Sequence, residues 1–293
     1  MNAVIQRAYR CLIVATLAAS VLLGGCSAVR LGYDQAEPLL RWWLDRRLDL
    51  NASQTRWLKD ELRDFHRWHR QTQLPDYADI AATLARQSVG DISPAQVCES
   101  IDSATVHLDL LLRQAVPLLA GLARQLEPSQ LQQLRYRFAE EDRDWRDKWL
   151  DVSRDKRTRQ RVDDWVERAE SYYGRLRQEQ REFILQAVLR SSWDPQLSWE
   201  RRQIRQQQIV AALEKILRQK TSQSEAEDEI RGLMERSLRP EDPRLATMQR
   251  VLQQEACVNL AGLHRLTSAE QRMRARDKLL AYERDFRQLA ARR

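Results

Sequence analysis

The chain has 293 residues, a formal net charge of +7 and 43% hydrophobic residues, so it can bury a core and is not disordered throughout. Only eight Gly and eight Pro occur, which excludes collagen-like and low-complexity classes. Four Cys in this length exclude a disulfide-rich scaffold. Arg supplies 43 of the 49 basic residues, which we interpret as partly codon bias and so as weak evidence for any ligand.

Residues 1–25 have the pattern of a secretory signal peptide. The first ten residues contain two Arg and no acid, and the thirteen residues from Cys11 to Leu23 form a mainly apolar run. This apolar run is too short to span a bilayer as a permanent helix. We therefore expect the signal peptide to be removed and the remaining chain to be exported.

The end of this leader, Leu23-Gly24-Gly25-Cys26, resembles the bacterial lipobox. The resemblance implies that Cys26 is acylated and anchors the chain to a membrane, because several acyl chains each add about 0.8 kcal/mol per buried CH₂. Ser27 follows instead of Asp, which implies the inner leaflet of the outer membrane, facing the periplasm, with the inner membrane as the alternative. We expect residues 26–33 to form the lipidated N-terminus and a short tether, and residues 34–293 to form a single all-helical periplasmic domain.

Two further cysteines, Cys98 and Cys257, remain once Cys11 is removed and Cys26 is lipidated. An oxidising compartment makes them candidates for an internal disulfide that closes a loop of about 160 residues. Two separate buried thiols, or an intermolecular bridge, remain open alternatives.

The exported chain predicts helices from end to end. Apolar residues recur at spacings of three and four, and no segment alternates like a strand. Such stripes are Leu58, Leu62, Phe65 and His69; Leu131, Leu134, Phe138, Trp145 and Trp149; Ile209, Leu213 and Ile216; and Leu245, Met248 and Leu252. Pro75 predicts the end of a helix that begins after Asn51, and Pro117 predicts a kink inside another helix. We expect an all-α fold, an elongated bundle of about ten helices.

A short pattern recurs where helices should begin: an apolar residue, two or three small or polar residues, then Gln or Glu. It occurs at residues 50–54, 92–96, 126–130 and 266–271. The capping box explains it through Asn51 with Gln54, Ser93 with Gln96, and Thr267 with Glu270. The segments are also similar to the Leu-Thr-x-x-Gln signature of periplasmic chaperones of the Spy and CpxP type. That resemblance implies a helical cradle with a basic, partly apolar face.

Few residue patterns in the chain indicate a metal site or an enzyme active site. His66 and His69 have a spacing that suits a metal, but nearby Asp64 does not share a helix face with His66, so we expect no metal site. No phosphate loop or nucleophile motif occurs, and we expect neither a cofactor nor an enzyme.

The basic stretch from Arg154 to Arg161 would indicate nucleic acid in a cytosolic protein. An exported chain meets lipid head groups, lipopolysaccharide phosphates or acidic proteins instead. Acidic residues lie within and on both sides of this stretch, which favours a solvated helix face; they are Asp151, Asp155, Asp163 and Asp164. We therefore expect no nucleic-acid partner.

Four segments in the first part of the exported chain resemble a family of uncharacterised proteobacterial lipoproteins, a domain of unknown function (DUF 6279). They are the lipobox closely followed by Leu31-Gly32-Tyr33, residues 39–45 with Trp42-Trp43, residues 48–54, and residues 68–75. The resemblance implies that Trp68, His69, Leu74 and Pro75 matter, and it implies no activity.

We expect a non-enzymatic, membrane-anchored periplasmic lipoprotein that serves as a binding or scaffold module, with an unidentified envelope protein as its partner. One alternative is a Spy-like chaperone that holds unfolded envelope proteins. A second is an envelope enzyme or metal binder near His66 and His69. Trp42 and Trp43 could pack on the bundle, which we favour, or rest on the membrane surface.

Overall fold

The computed structural model describes residues 28–292. The expected signal peptide, residues 1–25, and the lipidation site Cys26 lie outside the described residues. The chain divides into two compact units, Met1–Ala36 and Glu37–Arg293. The described part of the first unit contains helix α1 (Ala28–Asp34). This helix covers most of the expected tether, residues 26–33, and the first residue of the expected domain.

Ten further helices follow, and no strand occurs in residues 28–292, so the predicted all-α multi-helix class is confirmed. They are α2 (Ala36–Leu48), α3 (Ala52–Gln87), α4 (Pro94–Gln125), α5 (Pro128–Trp145), α6 (Arg154–Tyr173), α7 (Gln178–Arg190), α8 (Pro195–Gln219), α9 (Gln223–Leu238), α10 (Pro243–Arg265) and α11 (Ala269–Ala290). A π-helical turn, Arg146–Leu150, follows α5.

Helix starts are set by local chemistry. Asn51 and Ser93 cap α3 and α4 with Gln54 and Gln96 as their capping-box partners, as the sequence predicted. The last predicted box is wrong by one residue, because Ser268 caps α11 and its partner is Gln271. Thr267 serves the preceding helix instead, since its hydroxyl donates to the His264 carbonyl at 2.5 Å.

The predicted helix end at Pro75 is wrong, because α3 continues through this residue to Gln87. A proline inside a helix removes one N–H donor and crowds the preceding turn. Tertiary packing offsets this cost: Leu74 and Ala78 on either side are 1% and 0% exposed, and α11 makes its most extensive helix contact with α3. Pro117 lies inside α4, as expected.

Helix α4 is the one described helix that is long and apolar enough to cross a membrane by length and composition. Its C-terminal half instead lies in the core, with Val116 and Leu122 2% and 3% exposed, and α4 packs against α9 and α10. A disulfide joins Cys98 of α4 to Cys257 of α10, with their Cα atoms 5.3 Å apart. These contacts make α4 a central helix of the bundle.

Two buried glutamines, Gln54 and Gln130, join the N-termini of α3 and α5. Each Nε2 donates to the other residue's Oε1, at 3.0 and 2.8 Å. Each also donates to a backbone carbonyl two residues before the partner helix's N-cap: Gln54 to Gln125 at 2.6 Å, and Gln130 to Asp49 at 2.9 Å. Each Oε1 accepts its own N-cap N–H as well, so both amides are satisfied.

The same arrangement recurs at the N-termini of α7 and α11 with Gln180 and Gln271. Their reciprocal amide bonds measure 2.8 and 3.1 Å. Gln180 donates to the Leu266 carbonyl at 3.0 Å and Gln271 to the Arg175 carbonyl at 3.2 Å, again two residues before the partner's N-cap. The sequence pattern at 176–180 was missed because Arg177 occupies the usual Ser or Asn position.

Two apolar clusters form the core of the larger unit. One is built by α2 to α5 with α8 and α9, and it contains the predicted stripe residues Leu58, Leu62, Leu131, Leu134, Leu213 and Ile216. The other is smaller and contains Val166, Leu176, Ile184, Val188 and Leu263. The Gln54–Gln130 pair adjoins the first cluster and the Gln180–Gln271 pair the second, through Leu126 and Leu176 next to the caps.

Replacing Gln180 by Leu should destabilise the fold by about 1–3 kcal/mol, because it leaves the Gln271 amide buried without its partner. Urea unfolding of the variant measures this loss. Gln96→Leu is the matched control, since Gln96 occupies the same capping-box position without a partner glutamine. The double variant Gln180→Leu/Gln271→Leu should recover part of the loss. Equal effects of Gln180→Leu and Gln96→Leu would contradict the paired role.

Replacing Cys98 and Cys257 together by Ser should lower the free energy of unfolding by about 2–5 kcal/mol, since the bond constrains a long loop in the unfolded chain. Denaturation with and without reductant gives the same comparison in the native sequence. Titration of the denatured, non-reduced protein should find neither thiol free. Two free thiols without an intermolecular adduct would contradict this disulfide.

Candidate functional site

A pocket of about 380 Å³ lies where α5, the π-helical turn, α6 and α8 meet. We call it the Trp–Arg pocket, and it is lined by Trp145, Trp149, Arg161, Asp164, Trp165, Arg168, Val188, Trp193, Ser198, Arg201, Arg202 and Arg205. Its volume lies within the range of small-molecule sites, about 300–1,000 Å³.

The π-helical turn Arg146–Leu150 shapes one wall. A π turn inserts an extra residue into a helix and rotates the side chains that follow, and such turns are frequent at functional sites. Here the Asp151 N–H donates to the Arg146 carbonyl at 2.7 Å, and the Arg146 guanidinium donates to both carboxylate oxygens of Asp151. The turn thereby sets the direction of Trp149.

The four pocket tryptophans are all half-buried. Trp149 meets Trp193 edge to face, with ring centroids 5.8 Å apart, and Trp145 stacks on Trp199 at 5.5 Å. Indole rings fixed by one another and still partly open to solvent provide flat apolar faces for a ligand. The pocket therefore suits a ring or an apolar chain.

Arg161 brings positive charge into this aromatic wall. Its guanidinium lies 4.8 Å from the Trp193 ring centroid and donates to the Ser191 hydroxyl at 2.9 Å. Burial lowers the pKa of Arg161, while the Glu255 carboxylate opposes this shift. Arg161 remains charged at neutral pH and is held rigidly by its hydrogen bonds.

Three further arginines add to this charge. Burial and the neighbouring Arg205 lower the pKa of Arg201, whose guanidinium donates to the Ser237 carbonyl at 3.2 Å. Arg168 and Arg205 are exposed. Within residues 28–292, none of Arg161, Arg168, Arg201 and Arg205 forms a salt bridge. With the single carboxylate Asp164 in its lining, the pocket thus has an excess of positive charge, which attracts an anion.

Arg202, by contrast, is neutralised by a half-buried network. It contacts the Asp142 carboxylate at 2.6 Å and the Glu141 carboxylate at 3.4 Å. Gln203 and Gln206 each donate to Asp142 at 2.8 Å. Asp142 therefore occupies a position within the apolar stripe of α5, where its contacts with these three residues join α5 to α8.

The lining residues favour binding over acid–base chemistry. Arginine holds its proton at all physiological pH values, so it stabilises anions and transfers no proton. Asp164 is the single carboxylate that lines the pocket, and the Ser198 hydroxyl donates to the Asp194 carbonyl at 2.7 Å.

The predicted motif residues lie elsewhere, on α3, and none lines the Trp–Arg pocket. His69 contacts the rings of Trp68 and Tyr77, at centroid distances of 6.3 and 5.5 Å. Leu74 is buried and Pro75 lies within the helix. Their contacts indicate a packing role between α3 and its neighbours.

No group of three His, Cys, Asp or Glu side chains able to hold a metal occurs in the part of the chain that the structure describes. Asp64 forms a salt bridge with Arg67 at 3.0 Å.

The sequence interpretation missed the Trp–Arg pocket because its residues come from four separate segments. Trp145 and Trp149 match a core stripe, and Arg161 belongs to a stretch interpreted as a solvated face. The signal that was available is the spacing of Trp145, Trp149, Trp193 and Trp199, which flanks that basic stretch.

The fold and site define an all-helical protein with a cationic, tryptophan-lined pocket. The chain belongs to a family of unknown function (DUF6279), whose model matches residues 46–244. The matched region includes the pocket and the segment 68–75. No curated protein and no solved structure matched the chain.

Stability should fall as the pH is lowered from about 6.5 towards 4, in part because of His69. Burial, with the nearby His66, lowers the pKa of His69 to about 4. The folded state thus keeps His69 neutral while the unfolded chain takes up a proton below about pH 6.5, which favours unfolding. Thermal melts across this pH range measure the effect.

The variant His69→Phe keeps an aromatic ring and cannot titrate, so its melting temperature should depend less on pH between 6.5 and 4. Some acid sensitivity should persist, since burial also lowers the pKa of His264. Parallel pH profiles for the variant and the native protein would contradict the assignment to His69.

Proposed function

We propose that this protein is a lipid-anchored binding module of the bacterial envelope that faces the periplasm and is not an enzyme. Its ligand carries an anionic group beside a ring or apolar surface, and it binds in the Trp–Arg pocket. The observation that carries this proposal is the pocket's composition: four tryptophans surround four arginines that form no salt bridge within residues 28–292.

Energetics support a binding role. A protein gains little by holding like charges together, because they repel and each loses hydration when partly buried. Arg201 and Arg205 are close enough to affect one another, and Arg161 is half-buried and forms no salt bridge within residues 28–292, with the Glu255 carboxylate acting on it only through its charge. A bound anion relieves both costs.

Two other features support the location. The lipobox-like segment before Cys26 implies an acyl anchor, as described above. The Cys98–Cys257 disulfide suits an oxidising compartment such as the periplasm. The anchor would keep the pocket close to a membrane and its anionic head groups.

The chaperone alternative is favoured by one observation. Helix α4 exposes large apolar side chains, with Val106, Leu108 and Leu110 at 59%, 43% and 42% exposure. Exposed apolar surface is what a holding chaperone needs. Asp109 and Arg113 on the same helix pair with each other, so the surface is not strongly basic.

Phenyl phosphate, which combines a ring with a phosphate, provides the test. Added to the purified full chain in amphipol, it should quench tryptophan fluorescence in a saturable manner, and neutral benzyl alcohol should not. The double variant Arg168→Gln/Arg205→Gln should weaken binding by about tenfold or more, since it removes two charged hydrogen-bond donors. Both side chains are exposed, so the fold should be retained.

The matched control is Arg154→Gln/Arg218→Gln, which removes the same charge from exposed sites outside the pocket. Equal weakening by the two double variants would show non-specific attraction and contradict the proposal. Absence of phosphate binding, together with suppressed aggregation of an unfolded test protein, would favour the chaperone.

A further inference from the structure

A second cavity, of about 400 Å³, lies among α2, α4, α5, α8 and α9. We call it the apolar chamber. Its walls are mainly aliphatic and aromatic side chains, among them Leu119, Leu122, Phe138, Leu213, Ile230 and Met234. Such a lining offers water few hydrogen-bond partners and favours an apolar occupant.

The polar residues of the chamber cluster through ion pairs. Glu141 accepts hydrogen bonds from both Arg47 of α2 and Arg202 of α8. Arg205 and Gln206 complete the polar part of the lining. The chamber is therefore amphipathic, with an apolar interior and a charged border that includes three arginines.

Arg202 and Arg205 line both the apolar chamber and the Trp–Arg pocket. The two cavities thus adjoin, one apolar and the other cationic. An amphiphile likewise has an apolar part, its acyl chain, and a charged part, its anionic head. Charge complementarity places the anionic head beside the arginines.

We propose that the two cavities form one site for an anionic lipid, with an acyl chain in the apolar chamber and a phosphate-bearing head group in the Trp–Arg pocket. This inference rests on the proposed function and names the chemistry of its ligand. Arg205, which lines both cavities, contacts the lipid head group. Arg202 stays paired with Asp142 and lies where the acyl chain ends.

Trp43 of α2 provides the way in. It lines the chamber and is 45% exposed, and the Arg47 guanidinium lies 3.8 Å from its ring centroid. Trp42 beside it is 55% exposed. The sequence interpretation favoured packing of this pair on the bundle. Their exposure suits the edge of a lipid surface, where an indole with an adjacent cation is stable.

Photo-cross-linking in living cells tests the proposal on the full, natively anchored chain. Phe138, a half-buried chamber residue, is replaced by the photo-cross-linker benzoylphenylalanine. After irradiation the protein is purified and its mass is measured by mass spectrometry. We expect an adduct with the mass of a phosphate-containing lipid. Tyr136, two residues away on α5 and 54% exposed, is the matched control position and should give no such adduct.

Leu119→Trp fills part of the chamber and should lower the adduct yield by about tenfold, because each displaced methylene contributes about fourfold to affinity. Leu189→Trp places the same side chain at an exposed site outside both cavities and should have no effect. If benzoylphenylalanine at Phe138 disturbs the fold, the same label at Leu213 replaces it.

Equal adducts from Phe138 and Tyr136, or a yield unaffected by Leu119→Trp, would overturn the proposal. An adduct with the protein's own acyl chains on Cys26 would also overturn it and identify a different occupant. Arg168→Gln/Arg205→Gln should lower the lipid adduct, and an unchanged yield would show that the head does not reach the Trp–Arg pocket.

The two proposals fail separately. Phenyl phosphate binding without a lipid adduct leaves the binding module intact and overturns the lipid. Failure of phenyl phosphate to bind overturns the proposed function, and with it the assignment of the head group.

Discussion

The bundle depends on two reciprocal pairs of buried glutamine amides. Each pair connects helix starts that are far apart in sequence, 76 residues for Gln54 and Gln130 and 91 for Gln180 and Gln271. A buried amide is costly unless all its donors and acceptors are used, and here each one closes its own helix start and contacts the other. The pairs thereby act as specific clamps, which apolar packing alone does not provide.

The fold also leaves room for a site. Protein interiors are close-packed, and the two adjoining, partly open pockets of about 380 and 400 Å³ lie where packing between helices is incomplete. The Trp–Arg pocket brings together four half-buried tryptophans and four arginines that form no salt bridge within residues 28–292. Departures from packing and charge-pairing rules are expected at functional sites, and the π-helical turn at Arg146–Leu150 lies at the same place.

Local patterns predicted much of the fold. The apolar stripes that include Leu58, Leu134 and Ile216 belong to the core, and the caps at Asn51 and Ser93 form as expected. The predicted helix end at Pro75 was wrong because packing of α3 on α11 outweighs the local cost of a proline inside a helix. The Trp–Arg pocket was not predicted because an apolar stripe or a run of charged residues has the same sequence pattern whether its side chains face the core, the solvent or a cavity.

By itself, the sequence determined the helical class, most helix starts and the residues that bury, because each follows from side chains three or four positions apart. It also supplied the expectation of an anchored, exported chain. Tertiary structure alone decided which glutamines pair, that Cys98 meets Cys257, and that arginines from α6 and α8 converge on tryptophans from four segments. These depend on the relative placement of distant helices, which is set by shape and burial across the whole core and leaves no local pattern.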